Sequence, residues 1–294
     1  MTQNHYCMQN TKELDALFSL IDDPDMEVYE TVSERITGFG KAIIPNLENL
    51  WENSPNYEVQ ARIEALIHAL QFNDLQKELT EWKNSLQQDL FQGALLVARY
   101  QFPDLHTSAI LQDIEKIRRN VWLELNSYLT PLEQANVLSS ILYNYYNLNG
   151  TEVSYNRPND FFINKVLASR KGNSISNGIL YKILCNLLDI KAYIINIPKH
   201  LIIAFYRSGY TPDDAIDPEE KIYFFVDGTT GHAFSHNDIK GYLKRMNMTP
   251  KPLYYEPLTN AQVIQMLLRE LGKCYQEDPI KQAEIATLAA LLND

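Results

Sequence analysis

The N-terminal third of the chain repeats its apolar residues at helical spacing. An apolar residue recurs at every fourth position from Val28 to Ile36, and the same register returns from Val59 to Ile67. Asp23-Pro24 and Ser54-Pro55 precede these two stretches, and a capping residue followed by proline is typical of a helix start. Because a spacing of four places side chains on one face, the pattern predicts two helices that each bury one side.

The two stretches also form a weak internal repeat. Gly38 and Gly40 interrupt the first helix, and a second helix is predicted from about 43 to 51. One helix pair cannot bury its apolar face alone, so pairs at this spacing suggest a short HEAT-like stack. An irregular helical bundle is the alternative.

The next segment, residues 85–145, continues the helical pattern. Apolar residues from Leu86 to Val97 line one predicted helix, and those from Ile110 to Val121 line another. Thr130-Pro131 predicts a further helix start, with Glu133 in position to complete a capping box.

The character of the chain changes after a polar stretch at 147–160. A helix predicted at 175–188 is followed by apolar runs of β type at 192–196, 201–206 and 221–227. This order is typical of an α+β fold with a small antiparallel sheet. Apolar spacing at 260–292 predicts a helical hairpin. We therefore predict three regions: a helical HEAT-like region at 1–84, an α+β core at 85–250 and a helical C-terminal extension at 251–294.

The composition favours a soluble cytoplasmic protein. The net charge is -11 and the sequence pI is about 5.1, so no nucleic-acid partner is expected, because an acidic surface repels phosphate backbones. No secretion signal or run of membrane-spanning length is recognised. Cys7, Cys185 and Cys274 are far apart and odd in number, which argues against a disulfide framework or a zinc site. No cofactor is expected.

Three motifs follow one another in an order that suggests acyl-transfer chemistry. The stretch from Arg170 to Gly178 enters a helix, Asn196 to His200 precedes a strand, and Phe225 to Gly228 ends the next strand. A nucleophile at a helix start gains from the helix dipole and from unpaired N–H groups. A histidine on one strand and an aspartate on the next are placed to act as base and orienting group.

These motifs resemble the transglutaminase-like, papain-like domains of the bacterial SirB type. Such domains carry Arg-x-Gly-x-Cys at a helix start, then His and Asp on successive strands. This chain has Arg170, Gly172 and Ser174, followed by His200 and Asp227. The resemblance covers about residues 85–292, and the block from position 170 to 173 is its most specific part. It implies that Ser174, His200 and Asp227 occupy the catalytic positions and that four residues line the cleft: Arg170, Asn173, Ser176 and Asn196.

The departures from the family pattern decide how this site is interpreted. Ser174 stands where active relatives have cysteine, and Gly228 stands where the family often has proline. A serine hydroxyl is far more basic than a thiol, so the helix dipole alone does not ionise it and Ser174 needs His200 as a general base. Cys185 lies about three helical turns further on and is interpreted as a core thiol.

Each candidate also has a purely structural interpretation. His200 fits an ordinary histidine near a strand end, and Asp227 fits an Asx turn before Gly228. Arg170 fits a structural ion pair with a carboxylate.

Two further polar groups near the motifs are assigned structural roles. Ser235 is predicted to cap the helix that follows it, with Asp238 as the acidic partner in that cap. His232 and His236 have no further ligand cluster nearby in sequence, so a metal site is not expected there.

Three functions remain open from the sequence. The first is a non-catalytic module that binds a protein or peptide through the former active-site cleft, helped by the N-terminal helices. The second is a hydrolase or acyltransferase on amide or ester bonds, with Ser174 as nucleophile, His200 as base and Asp227 as orienting group. The third is a purely structural domain. We favour the first because serine occupies the nucleophile position, and we predict no oligomeric state.

Overall fold

A computed structural model describes residues 13–14, 16–198 and 200–293. The chain forms two compact units, which divide between Glu78 and Leu79. In the described part of the chain, no helix combines the length and the apolar character that a membrane crossing requires. Cys7 lies outside the described residues.

The first unit is helical. Its helices are α1 (Met26–Thr37), α2 (Ile44–Asn53) and α3 (Tyr57–Asn84), the last of which ends in the second unit. Asp25 caps α1 by accepting the Glu27 N–H at 2.9 Å. Asn56 accepts the Glu58 N–H at 2.9 Å. Both helices therefore begin two residues after the prolines that were predicted to start them, because the nearer Asp and Asn side chains provide the caps.

The core of the first unit follows the predicted apolar register. Its fully buried side chains come from α1, α2, the first part of α3 and the short connections: Ile21, Val32, Ile36, Ile43, Leu47, Ile63, Leu66 and Leu70. The second repeat unit forms one helix of 28 residues, whereas a second HEAT-like unit would need a helix pair. The HEAT-like stack therefore stays a prediction.

The second unit begins with a series of helices. These are α4 (Leu90–Gln101), α5 (Thr107–Glu124) and α6 (Pro131–Ser139), which continues as a π-helical segment, Ser140–Tyr145. The predicted capping box at the start of α6 is confirmed, since the Thr130 and Glu133 side chains each bond the other's backbone N–H. Leu86 was wrongly placed in α4: it is fully exposed, and the helix starts four residues later behind the Asp89 cap.

Two short strands that the sequence did not reveal flank the next helix. Strand β1 (Asn149–Thr151) pairs in parallel with β2 (Lys171–Asn173), and α7 (Ile163–Ser169) lies between them in sequence. Helix α8 (Ser174–Leu187) follows β2 without a loop. The pairing of β1 with β2 therefore fixes the residues that lead into α8.

The main sheet has four antiparallel strands in sequential order. They are β3 (Ala192–Ile197), β4 (His200–Tyr206), β5 (Ile222–Asp227) and β6 (Ala233–Phe234). The short α9 (Pro218–Lys221) precedes β5, and α10 (His236–Arg245) follows β6. The predicted α+β fold with a small antiparallel sheet is confirmed, as is the cap formed by Ser235 and Asp238 at the start of α10.

The sheet is covered on both faces. On one face α8 crosses closely at Gly178, where a Cβ would come within 2.6 Å of Leu201 Cδ2. The other face packs against Ile239 and Leu243 of α10 and against Tyr255. Strands buried on both sides carry continuous apolar runs, which accounts for the sequence of β4.

The predicted C-terminal helical hairpin is confirmed. Its helices are α11 (Asn260–Gly272) and α12 (Pro279–Leu291), which pack against each other. Helix α11 also packs against α4, where Gly93 permits close approach: a Cβ there would lie 2.8 Å from Ile264 Cγ1. The hairpin thereby extends the core of the second unit.

Candidate functional site

The start of α8 is held by its own side chains. Asn173, fully buried, accepts the backbone N–H groups of Ile175 and Ser176 through Oδ1, each at 3.0 Å. Ser176 Oγ accepts the Asn173 N–H at 3.1 Å and donates to the Asp160 carbonyl at 2.6 Å. Two of the N–H groups that a helix start leaves free are therefore occupied. Asn173 and Ser176 act as caps.

Ser174 is the first residue of α8 and is 6% exposed. Its carbonyl lies against the turn after β5, because a Cβ built on Gly228 would lie 3.0 Å from that oxygen and 2.7 Å from Gly178 Cα. A side chain at position 228 would therefore meet the backbone of α8. This close approach gives glycine a packing role where the family pattern often has proline.

His200 begins β4 and faces α10. It pairs with Ile197 across the β3–β4 hairpin. Its ring lies edge-on to Tyr242 of α10, with the ring centroids 5.5 Å apart. The Nδ1 atom is shielded from solvent and has no hydrogen-bond partner in the described part of the chain. Among the described residues, the imidazole is held by packing against Tyr242.

Asp227 ends β5 and is bonded within its own turn. Its Oδ1 accepts the Thr229 N–H at 2.8 Å, and its Oδ2 accepts the Thr230 hydroxyl at 3.0 Å. The first of these bonds makes the Asx turn that the sequence offered as the structural alternative. Asp227 pairs with Ile202, so it lies on the same face of the sheet as His200. No hydrogen bond or ion pair joins the two within the described residues.

The side chains of His200 and Leu201 point to opposite faces of β4. Leu201 faces α8, as its contact with Gly178 shows. Side chains alternate along a strand, and His200 contacts Tyr242 on the opposite side. The predicted nucleophile therefore lies on the α8 side and the predicted base on the α10 side. Across the described part of the chain, no hydrogen bond connects them.

His200 and Asp227 line a cavity of about 310 Å³ between the sheet and α10. The buried floor is mostly apolar, while exposed polar residues of α10 form the rim. Its lining also includes Ile197, Ile202, Ile239, Tyr242, Asp238 and Arg245.

The two remaining predicted cleft residues lie elsewhere. Arg170 ends α7 in the left-handed conformation, with φ 55° and ψ 33°. It is exposed and lines a separate cavity beside Tyr146. No ion pair of Arg170 occurs among the described residues. Asn196 is exposed on β3, where it pairs with Leu201 on the α8 side of the sheet.

Tyr143 connects the π-helical segment to the candidate site. Its hydroxyl donates to the Gly228 carbonyl at 2.6 Å. Burial, with a smaller contribution from the Asp227 charge, raises the pKa of Tyr143 far above its usual value. The phenol therefore stays protonated and holds the turn after β5.

Comparison with known proteins identifies the family. The model of a transglutaminase-like superfamily matches residues 108–269, which is more than half of the chain. The chain belongs to the transglutaminase-like superfamily. It is 23% identical over 201 residues to protein SirB1 of Salmonella typhimurium, covering 67% of this chain and 70% of the relative, and SirB1 of Salmonella typhi matches equally. The chain is thus of the SirB type. No solved structure gives a significant match.

Within this SirB-type domain, two cavity residues were missed from the sequence. Tyr242 and Arg245 follow Asp238 at intervals of four and seven residues, and all three line the cavity. Such spacing places side chains on one helix face. The spacing of Asp238, Tyr242 and Arg245 could have predicted this helix face, but only the cap formed by Ser235 and Asp238 was predicted from the sequence.

The described cysteines have no place in the site. Cys185 is fully buried, as expected for a core thiol, and burial raises its pKa to about 12. Burial likewise raises the pKa of Cys274 to about 11. In the described ranges, no three His, Cys, Asp or Glu side chains are grouped as metal ligands. His236 instead packs against Phe225 and contacts the Ile222 carbonyl at 3.0 Å.

Proposed function

We propose that this protein is a transglutaminase-like module without catalytic activity, which binds a protein or peptide through the cavity between the sheet and α10. The observation that carries the proposal is that Ser174 begins α8, whereas the His200 ring packs against Tyr242 of α10. No hydrogen bond joins the two residues within the described part of the chain.

The separation matters because serine depends on a base. A serine nucleophile is weak unless a neighbouring group accepts its proton, whereas a cysteine gains thiolate character from a helix start alone. General-base catalysis needs the base within about 3 Å of the proton that it removes, or one water away. Within the described residues, Ser174 forms no hydrogen bond with His200, whose ring packs against Tyr242 of α10.

The aspartate also supports a non-catalytic role. In a catalytic triad the carboxylate accepts a hydrogen bond from the imidazole and so holds its tautomer. Here both oxygens of Asp227 accept hydrogen bonds from its own turn, and His200 Nδ1 has no partner in the described part of the chain. The carboxylate therefore stabilises the turn.

The cavity supports binding. Its volume is about 310 Å³, at the lower end of the range of roughly 300–1,000 Å³ that is usual for ligand pockets. An apolar floor with a few polar groups is the usual composition of such sites. A cavity of this size suits one side chain of a peptide.

Catalysis is tested with a fluorophosphonate probe and with ester, amide and thioester substrates, on the wild type and on Ser174→Ala and His200→Ala. We expect no labelling of Ser174 and equal background hydrolysis by all three proteins. Labelling of Ser174 that is lost in His200→Ala would overturn the proposal and support a Ser-His-Asp hydrolase.

Binding is tested by selection from a random peptide display library. Asn237→Trp places a large side chain on the exposed rim of the cavity, whereas Lys244→Trp alters the same helix at an exposed position that does not line it. We expect enriched peptides to lose binding to the Asn237 variant and to keep it with the Lys244 variant. Equal binding to both variants would exclude the cavity as the binding site.

A further inference from the structure

The cavity next to His200 contains a buried carboxylate without a cationic partner. Asp227 is 9% exposed, and it forms no ion pair within the described part of the chain. Among the described residues, its side-chain partners are one backbone N–H and one hydroxyl of its own turn. Buried charges in proteins are usually paired, so this wall of the cavity presents a carboxylate that is available to a cationic ligand.

The Asp227 carboxylate can accept further hydrogen bonds. Each of its oxygens accepts one bond from the turn and retains a free lone pair. His200 also lines the cavity, but its Nδ1 is shielded from solvent, so a ligand would contact the ring and not that atom.

The rest of the lining is apolar and aromatic. Ile197, Ile202 and Ile239 are each at most 3% exposed, and the Tyr242 ring forms one side. A methylene chain packs well along such walls, and a planar cation stacks on an aromatic face.

The charges at the rim are mixed. Asp238 adds a second carboxylate, which is bonded to the Ser235 hydroxyl at 2.6 Å and to the Ser235 N–H at 2.8 Å. Arg245 is exposed and repels a cation bound in the cavity, but solvent and salt screen this repulsion. The whole chain carries a net charge of -11, which attracts basic partners over longer distances.

We propose that this cavity binds an arginine side chain of a basic peptide or protein segment, with the guanidinium held by the Asp227 carboxylate and stacked on the Tyr242 ring. Guanidinium has five donors in a fixed planar arrangement, pairs with a carboxylate through two parallel bonds and stacks on aromatic rings. An aliphatic stem then occupies the isoleucine-lined part. This inference rests on the proposed binding function and names the chemistry that its cavity recognises.

The test uses NMR titration of the full chain with a short blocked peptide containing one arginine. Two matched peptides carry citrulline, which has the same shape without the charge, or lysine. We expect the arginine peptide to shift resonances of Ile197, Ile202 and Ile239, and to bind about tenfold or more tightly than the citrulline peptide. Equal affinity for arginine and citrulline, or shifts outside the cavity, would exclude the site.

Two variants should change the affinity for the arginine peptide in opposite directions. Asp227→Asn removes the charge but keeps an acceptor for the Thr229 N–H and a group that can bond the Thr230 hydroxyl, so the turn is preserved. We expect this variant to lose the preference for the arginine peptide over the citrulline peptide. Arg245→Gln removes the opposing charge and should tighten binding about two- to fivefold. An unchanged preference in Asp227→Asn, or a lysine peptide that binds as tightly as arginine, would overturn the assignment.

The outcome is independent of the catalytic test. Labelling of Ser174 by a serine probe would refute the non-catalytic function and leave arginine binding untouched. Equal affinity of the wild type for the arginine and citrulline peptides would refute arginine recognition and leave the absence of catalysis untouched. Spectra of both variants that match the wild type away from the cavity show that the fold is preserved.

Discussion

Gly228 lies against the backbone of α8. A Cβ at this position would lie 2.7 Å from Gly178 Cα and 2.8 Å from Gly178 N, at least 0.6 Å inside the 3.4 Å at which ordinary contact begins. Both contacted atoms belong to the backbone of α8, so no side-chain rotation relieves the clash. We therefore expect Gly228→Ala to push the turn after β5 away from α8.

The cost follows from overpacking. Forcing one extra methyl group into a packed region typically costs about 1–3 kcal/mol. For a unit of this size, that loss lowers the melting temperature by about 2–12 °C. Gly241→Ala in α10 is the matched control, because the nearest atom to its added Cβ is Arg245 Nη1 at 3.8 Å. Because alanine has a higher helix propensity than glycine, Gly241→Ala should raise the free energy of unfolding by about 0.5–1 kcal/mol.

Urea unfolding followed by tyrosine fluorescence and circular dichroism measures both effects. We expect the midpoint to fall for Gly228→Ala and to rise for Gly241→Ala, with unchanged slopes. If Gly228→Ala is as stable as the wild type, the turn does not pack against α8 as described. The position of Ser174 relative to the sheet would then need to be reconsidered.

Three further predictions concern buried polar groups. In the native protein at pH 8, Cys185 and Cys274 should react with iodoacetamide far more slowly than in urea, because their pKa values are raised to about 12 and about 11; equal rates would contradict this. The pKa values of Tyr206 and Tyr255 are also raised by burial, to about 12. The stability that these thiols and phenols contribute should therefore be complete below pH ~8.5 and fall as pH rises from their unfolded pKa values towards their folded ones. A urea midpoint that increases between pH 9 and 11 would refute that sign. Asn173→Ala should lower stability by about 1–2 kcal/mol through the lost cap, without changing affinity at the cavity, and a selective loss of binding would show that Asn173 contacts the ligand.

Most elements of the second unit were predictable because they depend on local signals. The helix start at Thr130 and the cap at Ser235 are sequence patterns in which side chain and backbone bond within four residues. The strands from Ala192 to Asp227 are apolar runs between turn residues. Such signals do not depend on the rest of the fold.

Other elements depend on contacts that are distant in sequence. Strand β1 exists because Asn149–Thr151 pairs in parallel with Lys171–Asn173, and three polar or glycine residues give no strand pattern of their own. The 28-residue length of α3 was also missed. In both cases tertiary packing overrides local propensity.

The relative positions of the candidate site residues could not be predicted from the sequence. The order of Ser174, His200 and Asp227 can be taken directly from the sequence. The face of the sheet on which His200 lies depends on which alternate residues of β4 point towards α8 and which towards α10. Residues 201–206 are all buried, so no alternation of polar and apolar residues marks the two faces. A shift of one residue would turn His200 towards α8.

The pKa of a cysteine introduced as Ser174→Cys tests the separation of Ser174 from His200 most directly. With Cys7 replaced by serine, Cys185 and Cys274 remain protonated below pH 9, so the pH dependence of alkylation reports the new thiol. We predict a pKa that is the same with and without His200→Ala, because the imidazole faces α10. A pKa near ~4, as in cysteine–histidine pairs, that rises when His200 is removed would contradict the account.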